Sequence, residues 1–291
     1  MEQHKAGFVT IIGKPNVGKS TLMNALIGER LSIITSKAQT TRHRIFGIIN
    51  GDDFQIVYSD TPGIIEPKYE LHKSMMSFVN TSLEDADVIL FMTDIYEKFS
   101  EEEVVAKVNQ AEVPVMLLIN KVDQADQETV KEKIAYWQER VKATEIIPVS
   151  ALHGYNLERV LNFILEHIPH HPPYFPKDQL TDKSERFFAS EIIREKILLN
   201  YKQEIPYSCE VVIESFKEAD DLIRIRAEIL VERQSQKGIL IGKNGEALKK
   251  VGMQARKDME AFFQKKVFLE QFVKVEPHWR TNRRQLDQLG Y

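Results

Sequence analysis

Over the first 168 residues, short runs of apolar and β-branched residues alternate with stretches of helical periodicity. The runs GFVTIIG, RIFGIIN, FQIVYSD, DVILFMTD, VPVMLLIN and EIIPVSA predict six strands. Helices are predicted from Ser20 to Gly28, around Met75–Ser82, from Glu101 to Gln110, over Glu128–Val141 and over Asn156–His167. The strands read as nearly continuous apolar runs rather than strict alternations, the pattern of strands covered on both faces. Strand–helix alternation of this kind predicts an α/β domain with a mostly parallel six-stranded sheet.

The pattern then breaks. HIPHHPPYFPKDQL places Pro169, Pro172, Pro173 and Pro176 within eight residues. Such a stretch ends the preceding helix and cannot be a central strand. It predicts a linker over residues 169–183, between a first domain at 1–168 and a second at 184–291. Its histidines, His167, His170 and His171, have no neighbouring Cys or placed carboxylate, so a solvated linker is preferred to a metal site. Beyond it the chain reads helix (SERFFASEIIREKILLNY), strand (SCEVVIESFKE), strand (LIRIRAEILVE), short helix, long helix and strand (VFLEQFVKV), an α-β-β-α-α-β order.

Composition narrows the class. At 291 residues, 43% hydrophobic and 28% charged, the chain suits two soluble domains. A single cysteine, Cys209, excludes a disulfide framework and suits a reducing compartment. The start has no apolar signal core, and the longest apolar runs are strand-sized, so a cytoplasmic protein is expected. Residues 1–180 carry 18 Lys and Arg against 25 Asp and Glu, net −7, whereas residues 181–291 carry 21 against 18, net +3. From Lys237 onward the balance is 12 against 6, a pointer to an anionic partner near the C-terminal end, although a solvated basic face would look the same.

Chemistry-bearing motifs sit at the ends of the predicted strands. GKPNVGKS (Gly13, Lys14, Pro15, Asn16, Val17, Gly18, Lys19, Ser20), followed by Thr21, fits a phosphate loop between strand and helix. Its glycines let successive N–H groups face phosphate oxygens at the positive end of a helix dipole. Lys19 would reach the β and γ phosphates, and the Ser20 hydroxyl would ligate magnesium. DTPGI (Asp60, Thr61, Pro62, Gly63, Ile64) would place a carboxylate in the metal's outer shell and the Gly63 N–H on the γ-phosphate. NKVD (Asn120, Lys121, Val122, Asp123) offers a carboxylate to guanine N1–H and its exocyclic amine; adenine would leave it unpaired. SAL (Ser150, Ala151, Leu152) can bring a backbone N–H to guanine O6. Four motifs in this order define a guanine-nucleotide site. Between the first two lies SKAQTTRHR, where Thr41, preferred over Thr40, would close over magnesium when the γ-phosphate is present.

A second glycine–lysine loop, ILIGKNGEALKK, precedes the long helix of the C-terminal part. Along that helix Leu248, Val251, Ala255, Met259 and Phe262 share an arc of roughly 80°, and Lys249, Lys250, Arg256 and Lys257 an opposite arc of roughly 120°. The apolar stripe reads as core. The basic band is either a solubilising surface or a phosphate-facing one.

Taken together, GKPNVGKS, KAQTTRHR, DTPGI, NKVD and SAL, followed by RFFASEIIREKILL and VERQSQKGILIGKNG, closely resemble the bacterial Era GTPases over essentially the whole chain. The resemblance implies a Ras-like P-loop GTPase domain followed by a prokaryotic-type KH RNA-binding domain. It implies GTP hydrolysis, binding near the 3′ end of small-subunit rRNA, a role in 30S subunit maturation, a cytoplasmic monomer, and peripheral association with the inner membrane. In a KH domain a G-x-x-G loop clamps the backbone of about four nucleotides. Here that loop is Gly242, Lys243, Asn244 and Gly245, flanked by the basic Lys249 and Lys250, with Ile239, Ile241 and Leu248 expected as the apolar groove.

Ile64 stands where Ras-type enzymes place a water-orienting glutamine, which implies slow intrinsic turnover, about 10⁻⁴ s⁻¹ or somewhat above. Related GTPases with PNxGKS loops bind potassium, so Asn16 either coordinates K⁺ or only hydrogen-bonds within its loop; Arg42 and Arg44 are weaker candidates for the missing charge. The catalytic set expected is therefore Lys19, Thr41 and Gly63, with Mg²⁺ held by Ser20, Thr41 and Asp60. Two other classes compete: a GTPase that docks a protein or membrane through the second domain, and an RNA-binding assembly factor that uses nucleotide only as a staple. Arg280, Arg283 and Arg284 in the C-terminal tail either extend an RNA surface or keep a terminal helix soluble.

Overall fold

In the computed structural model, which describes residues 4–96 and 102–291, the six apolar runs form one sheet. In chain order the elements are β1 (Lys5–Gly13), α1 (Lys19–Ile27), β2 (Ile45–Asn50), β3 (Phe54–Asp60), α2 (Glu70–Glu84), β4 (Val88–Asp94), α3 (Glu102–Gln110), β5 (Val115–Asn120), α4 (Gln127–Gln138), β6 (Glu145–Pro148) and α5 (Leu157–His167). Glu101, the predicted start of the third helix, lies outside the described residues. The strand order is β2-β3-β1-β4-β5-β6, with β2 antiparallel to β3 and the other pairings parallel. Every residue of β4 and β5 is buried, which explains why those runs lack polar alternation. Parallel strands deliver their C-terminal ends to one edge. Gly13, Asp60, Asn120 and the Ser150 turn therefore converge there although up to 137 residues separate them.

The chain divides into two compact units. One contains residues up to Glu66 together with Met75–Asp182, and the other contains Pro67–Ser74 together with Lys183–Tyr291. The stretch expected as a linker is thus, up to Asp182, part of the first unit. Ile48 N–H donates to Leu180 O at 2.8 Å, and Phe46 N–H to Asp182 Oδ1 at 2.9 Å. The fully buried Gln55 accepts from the Tyr174 and Phe175 N–H groups through Oε1 and donates to Phe175 O through Nε2. The segment starts beside β1, where Ala6 N–H donates to Pro169 O and His171 N–H to His4 O, and its later residues 180–182 run along the β2 edge. His171 stacks on Tyr174, ring centroids 4.2 Å apart.

The second unit contains α6 (Glu185–Asn200), α7 (Ile205–Ser208), β7 (Glu210–Glu218), β8 (Leu222–Val231), α8 (Gln234–Ile241), α9 (Glu246–Phe263), β9 (Lys266–Val275) and α10 (Arg283–Gln288). Its sheet has the order β7-β8-β9, antiparallel then parallel. A parallel β8–β9 pair needs a long crossover, and α8 with α9 supplies it. This is the predicted order with two additions. The turn α7 takes Ser208, expected to begin a strand, because Pro206 is favourable in a first helical turn. The tail closes back on the unit: Trp279 is fully buried with Nε1 donating to Ser208 O, Leu286 is fully buried, and the Tyr291 hydroxyl donates to Glu210 Oε2 at 2.6 Å.

Helix α6 is buried on nearly all sides despite carrying Glu191, Arg194, Glu195 and Lys196. Arg194 meets both Glu191 oxygens at 2.6 Å, and Lys196 meets Glu195 at 2.7 Å and Asp258. Pairing is what permits charge there, and removing one partner would cost about 3–5 kcal/mol.

Candidate functional site

At the C-terminal edge of the first sheet the loops enclose a cleft of about 370 Å³. It is lined at the phosphate-loop end by Pro15, Asn16, Gly18, Lys19, Ser20 and Thr21, and at the far end by Asn120, Lys121, Asp123, Ser150 and Leu152. Thr41 and Gly63 line it from the two intervening segments. The loop after β1 turns directly into α1, so its N–H groups and the helix dipole face the same space. Lys19 is nearly buried, with Nζ donating to Gly13 O at 3.0 Å and Lys14 O at 2.8 Å. Those carbonyls hold a cation over the loop.

Three oxygen-bearing side chains meet beside it. Ser20 Oγ donates to Asp60 Oδ2 at 2.7 Å and lies 3.0 Å from Thr41 Oγ1, which is itself 3.5 Å from Asp60 Oδ2. The other Asp60 oxygen, Oδ1, is buried and has no hydrogen-bond partner among the described residues. Burial pushes the Asp60 carboxyl above its ordinary range, against the opposing pull of Ser20 and Lys19. Two hydroxyls and an underused buried carboxylate form a hard-oxygen set that fits Mg²⁺, whose charge would favour the ionised carboxylate. The adjacent threonine is different: Thr40 Oγ1 bonds back to Lys37 O and Thr35 Oγ1.

Gly63 makes a close approach that a side chain would prevent. A Cβ there would stand 2.7 Å from the Pro15 backbone. The next residue, Ile64, is buried, and its N–H donates to Gly13 O at 3.0 Å. It latches this segment to the phosphate loop and offers no group to orient water. The side chains of Val17, Thr61 and Ile64 are buried, so their contribution to a nucleotide would come from backbone atoms. Val122 packs against the core in the same way.

At the other end Asn120 is a brace. Its Nδ2 donates to Val17 O at 2.7 Å and its Oδ1 accepts from Ala151 N–H at 2.9 Å, tying the phosphate loop to the SAL turn. Asp123 accepts from Ser150 Oγ at 2.7 Å, and that hydrogen bond holds its carboxyl below the usual range. Lys121, in the left-handed region at φ 63°, reaches Asp94 Oδ2 at 2.6 Å. Asp94 was absent from the sequence-predicted set, yet it ends β4 as Asp60 ends β3 and Asn120 ends β5. That strand-end position was the available signal. Ile33, Ile34 and Thr35 also line the cleft and carried no motif. Asn16, at φ 67°, donates through Nδ2 to Ser36 O at 2.9 Å, linking the phosphate loop to the segment that carries Thr41.

In the second unit α8 ends at Gly242 (φ 73°), where a Cβ would come within 2.6 Å of the Ala247 Cβ. Asn244 and Gly245 also adopt left-handed φ values of 53° and 77°, folding the loop tightly before α9. Lys243, Asn244, Lys249 and Lys250 are exposed, as are Arg256 and Lys257 further along α9, while Val251, Ala255 and Met259 are fully buried. Of the three expected groove residues, Ile239 is half exposed, whereas Ile241 and Leu248 pack partly against the core. The Tyr201 hydroxyl, its pKa pushed up to about 12 by burial, donates to Leu240 O at 2.6 Å and fixes α8 from beneath.

Comparison with known proteins bears on both units. Residues 8–121 match the family described as 50S ribosome-binding GTPase, and residues 204–280 match the KH domain family. GTPase Era of Geotalea daltonii is 48% identical over 293 residues, covering 100% of this chain and 99% of its own. GTPase Era of Staphylococcus haemolyticus is 43% identical over 294 residues, covering 100% and 98%. Among solved structures, Era in complex with MgGDPNP and nucleotides 1506–1542 of 16S ribosomal RNA superposes with a TM-score of 0.95 at 41% identity over 99% of both chains. An Aquifex aeolicus Era variant bound to GDP and aluminium fluoride gives 0.94, also at 41% identity and 99% coverage of both. Matches at this identity cover the chain end to end, and the chain belongs to the Era family of GTP-hydrolysing, KH-containing proteins.

Proposed function

We propose that the protein is a GTP-timed clamp for the 3′-end region of small-subunit ribosomal RNA and assists 30S subunit assembly and rRNA maturation. The observation that carries this reading is the full-length match to the Era structure that holds nucleotide and 16S rRNA together. In the cleft, Ser20 and Thr41 ligate magnesium and Asp60 holds its outer shell, and the metal neutralises charge on the β and γ phosphates. Lys19 and the loop N–H groups stabilise the charge that develops as water attacks the γ-phosphoryl group in line, giving GDP and phosphate. Gly63 N–H meets the γ-phosphate, and Asp123 reads guanine.

Because Ile64 cannot orient water, the isolated protein turns over slowly, about 10⁻⁴ s⁻¹. A monovalent cation would supply further charge: Asn16, whose nitrogen donates to Ser36 O, would hold potassium through its amide oxygen. Hydrolysis in potassium buffer should exceed that in sodium buffer at equal ionic strength, and equal rates would remove the cation from the mechanism.

In the second unit Gly242 and Gly245 admit a phosphodiester, Lys243, Asn244, Lys249 and Lys250 contact the backbone, and Ile239, Ile241 and Leu248 form the apolar groove for bases. We infer a cytoplasmic monomer that works beside the small ribosomal subunit, with the peripheral inner-membrane association that the resemblance implies. The deciding experiment measures affinity for a 3′-terminal small-subunit rRNA fragment with GDP and with a non-hydrolysable GTP analogue at fixed salt, for wild type and Gly242→Asp. Tighter binding with the analogue, lost in the variant, is expected. Equal affinity in both nucleotide states would sink the timing role, and absence of binding would sink the RNA role.

A further inference from the structure

Pro67–Ser74 belongs to the second unit, although only Ile64, Ile65 and Glu66 separate it from Gly63. Within that unit it is strapped to the C-terminal tail. Leu71, fully buried, donates its N–H to Arg280 O at 3.0 Å, and Arg283 Nη1 donates to Ser74 Oγ at 2.8 Å. The strap is internally braced: the Tyr69 and His72 rings lie 3.8 Å apart, and Lys68 N–H donates to His72 Nδ1. The Arg280 guanidinium stands 5.1 Å from the centroid of the Tyr69 ring, with Nη1 3.5 Å from its hydroxyl.

The other side of Arg280 faces the N-terminal end of α8, the helix that leads into the G-K-N-G loop. Its Nε donates to Glu232 Oε2 at 3.0 Å, and its Nη2 reaches the same oxygen. Glu232 follows β8 directly and precedes α8. The N–H groups of Glu232 and Arg233 are both accepted by the buried Gln236 Oε1, at 3.0 Å each, which ties this junction to the first turn of α8. That helix ends at Gly242. One guanidinium therefore lies between an aromatic ring on the strap and the carboxylate at the base of the helix that presents the G-K-N-G loop. Anchoring the tail does not require it, because Trp279, Leu286 and Tyr291 are already buried.

We propose that Arg280 is a positioning residue through which nucleotide state reaches the RNA loop: a change at Gly63 is felt four residues later by the strap, and the Tyr69–Arg280–Glu232 contacts pass it to α8. The inference rests on the nucleotide-dependent RNA binding proposed above, and it names the residues that carry that dependence. Coupling of this kind is a property of two states biased from both ends, so it must be reciprocal.

The test uses the full chain, a 3′-terminal small-subunit rRNA fragment, GDP and a non-hydrolysable GTP analogue. The measured quantity is the ratio of RNA affinities in the two nucleotide states. For wild type a ratio of about 5- to 150-fold is expected. Tyr69→Ala and Arg280→Gln should each reduce it below about threefold, the double variant should lose no more than either alone, and Tyr69→Phe, which keeps the ring, should retain it. Affinity for GDP without RNA should stay at the wild-type level. By reciprocity, the tightening by RNA of analogue binding relative to GDP binding should fall by the same factor in the same variants. Arg280→Gln also strips Glu232 of its partner and can destabilise the unit, so Tyr69→Ala, on the strap, is the deciding variant. A folded Tyr69→Ala protein with the wild-type ratio overturns the proposal. A wild-type ratio of one overturns it together with the timing role. The wild-type measurements alone separate these cases.

Discussion

At Gly13–Ser20 a glycine–lysine loop is walled by partners from distant parts of the chain: Lys19 is nearly buried on two carbonyls, Asn120 braces Val17, and Ile64 latches onto Gly13. At Gly242–Gly245 a loop of similar composition stands in the open, its lysine and asparagine exposed and nothing within 4 Å of where a Gly245 Cβ would lie. The first is a preorganised socket whose polar groups already point inward, as electrostatic catalysis requires. The second is a tight turn with a charged rim, suited to a polymer backbone that arrives in many sequences. A socket should fail sharply when one contact is removed; a rim should weaken by degrees and respond to salt.

The largest effect expected from this contrast lies in the socket. If Asp123 reads guanine as proposed, Asp123→Ala removes two carboxylate hydrogen bonds, each worth about 1.5–3 kcal/mol, and GTP and GDP affinity should fall by roughly 10²- to 10⁴-fold. Calorimetric titration with GDP checks this, and a loss below tenfold would mean that Asp123 does not read the base. On the rim, Lys243→Ala should cost only about 3- to 10-fold in RNA affinity and lower the slope of log affinity against log salt by about 0.7, the value for one phosphate contact on a single strand. An unchanged slope would take Lys243 off the phosphates and blur the contrast.

The two sites also differ in how far the chain alone revealed them. The socket was legible because its motifs are local, and a parallel sheet brings strand ends together without further information: Gly13 closes β1, Asp60 closes β3 and Asn120 closes β5. The choice of Thr41 over Thr40, open in the sequence, agrees with the side that each hydroxyl faces. What stayed hidden depends on contacts between residues far apart that carry no local pattern. The proline run reads as a free linker until Gln55, 119 residues before Tyr174, is seen accepting its N–H. The burial of the charged residues of α6 has no local signal in SERFFASEIIREKILLNY and rests on their ion pairs. Arg280 and Arg283 read as an RNA surface or a solubilising one; the structure sets Arg280 against Tyr69 and Glu232, while Arg283 stays exposed with one nitrogen on Ser74 Oγ.

The smallest effect probes how finely the socket is tuned. Ser150 donates to Asp123 and favours its ionised form, so the carboxylate persists to a pH below the ordinary carboxylate range. Guanine needs that ionised form, since a protonated Asp123 loses acceptor capacity toward N1–H and the amine. GDP affinity should therefore hold at neutral pH and be lost only as pH falls through the lowered Asp123 pKa. Ser150→Ala removes the stabilising donor and lets the pKa rise, so the acid limb of GDP binding should begin at a higher pH than in wild type. Near pH 7 both proteins keep Asp123 ionised, and their affinities should agree within about threefold. Titrating GDP affinity from pH 7 downward separates the two curves if Ser150 acts through the carboxylate. Superimposable acid limbs would mean that Ser150 shapes the turn without tuning the carboxylate.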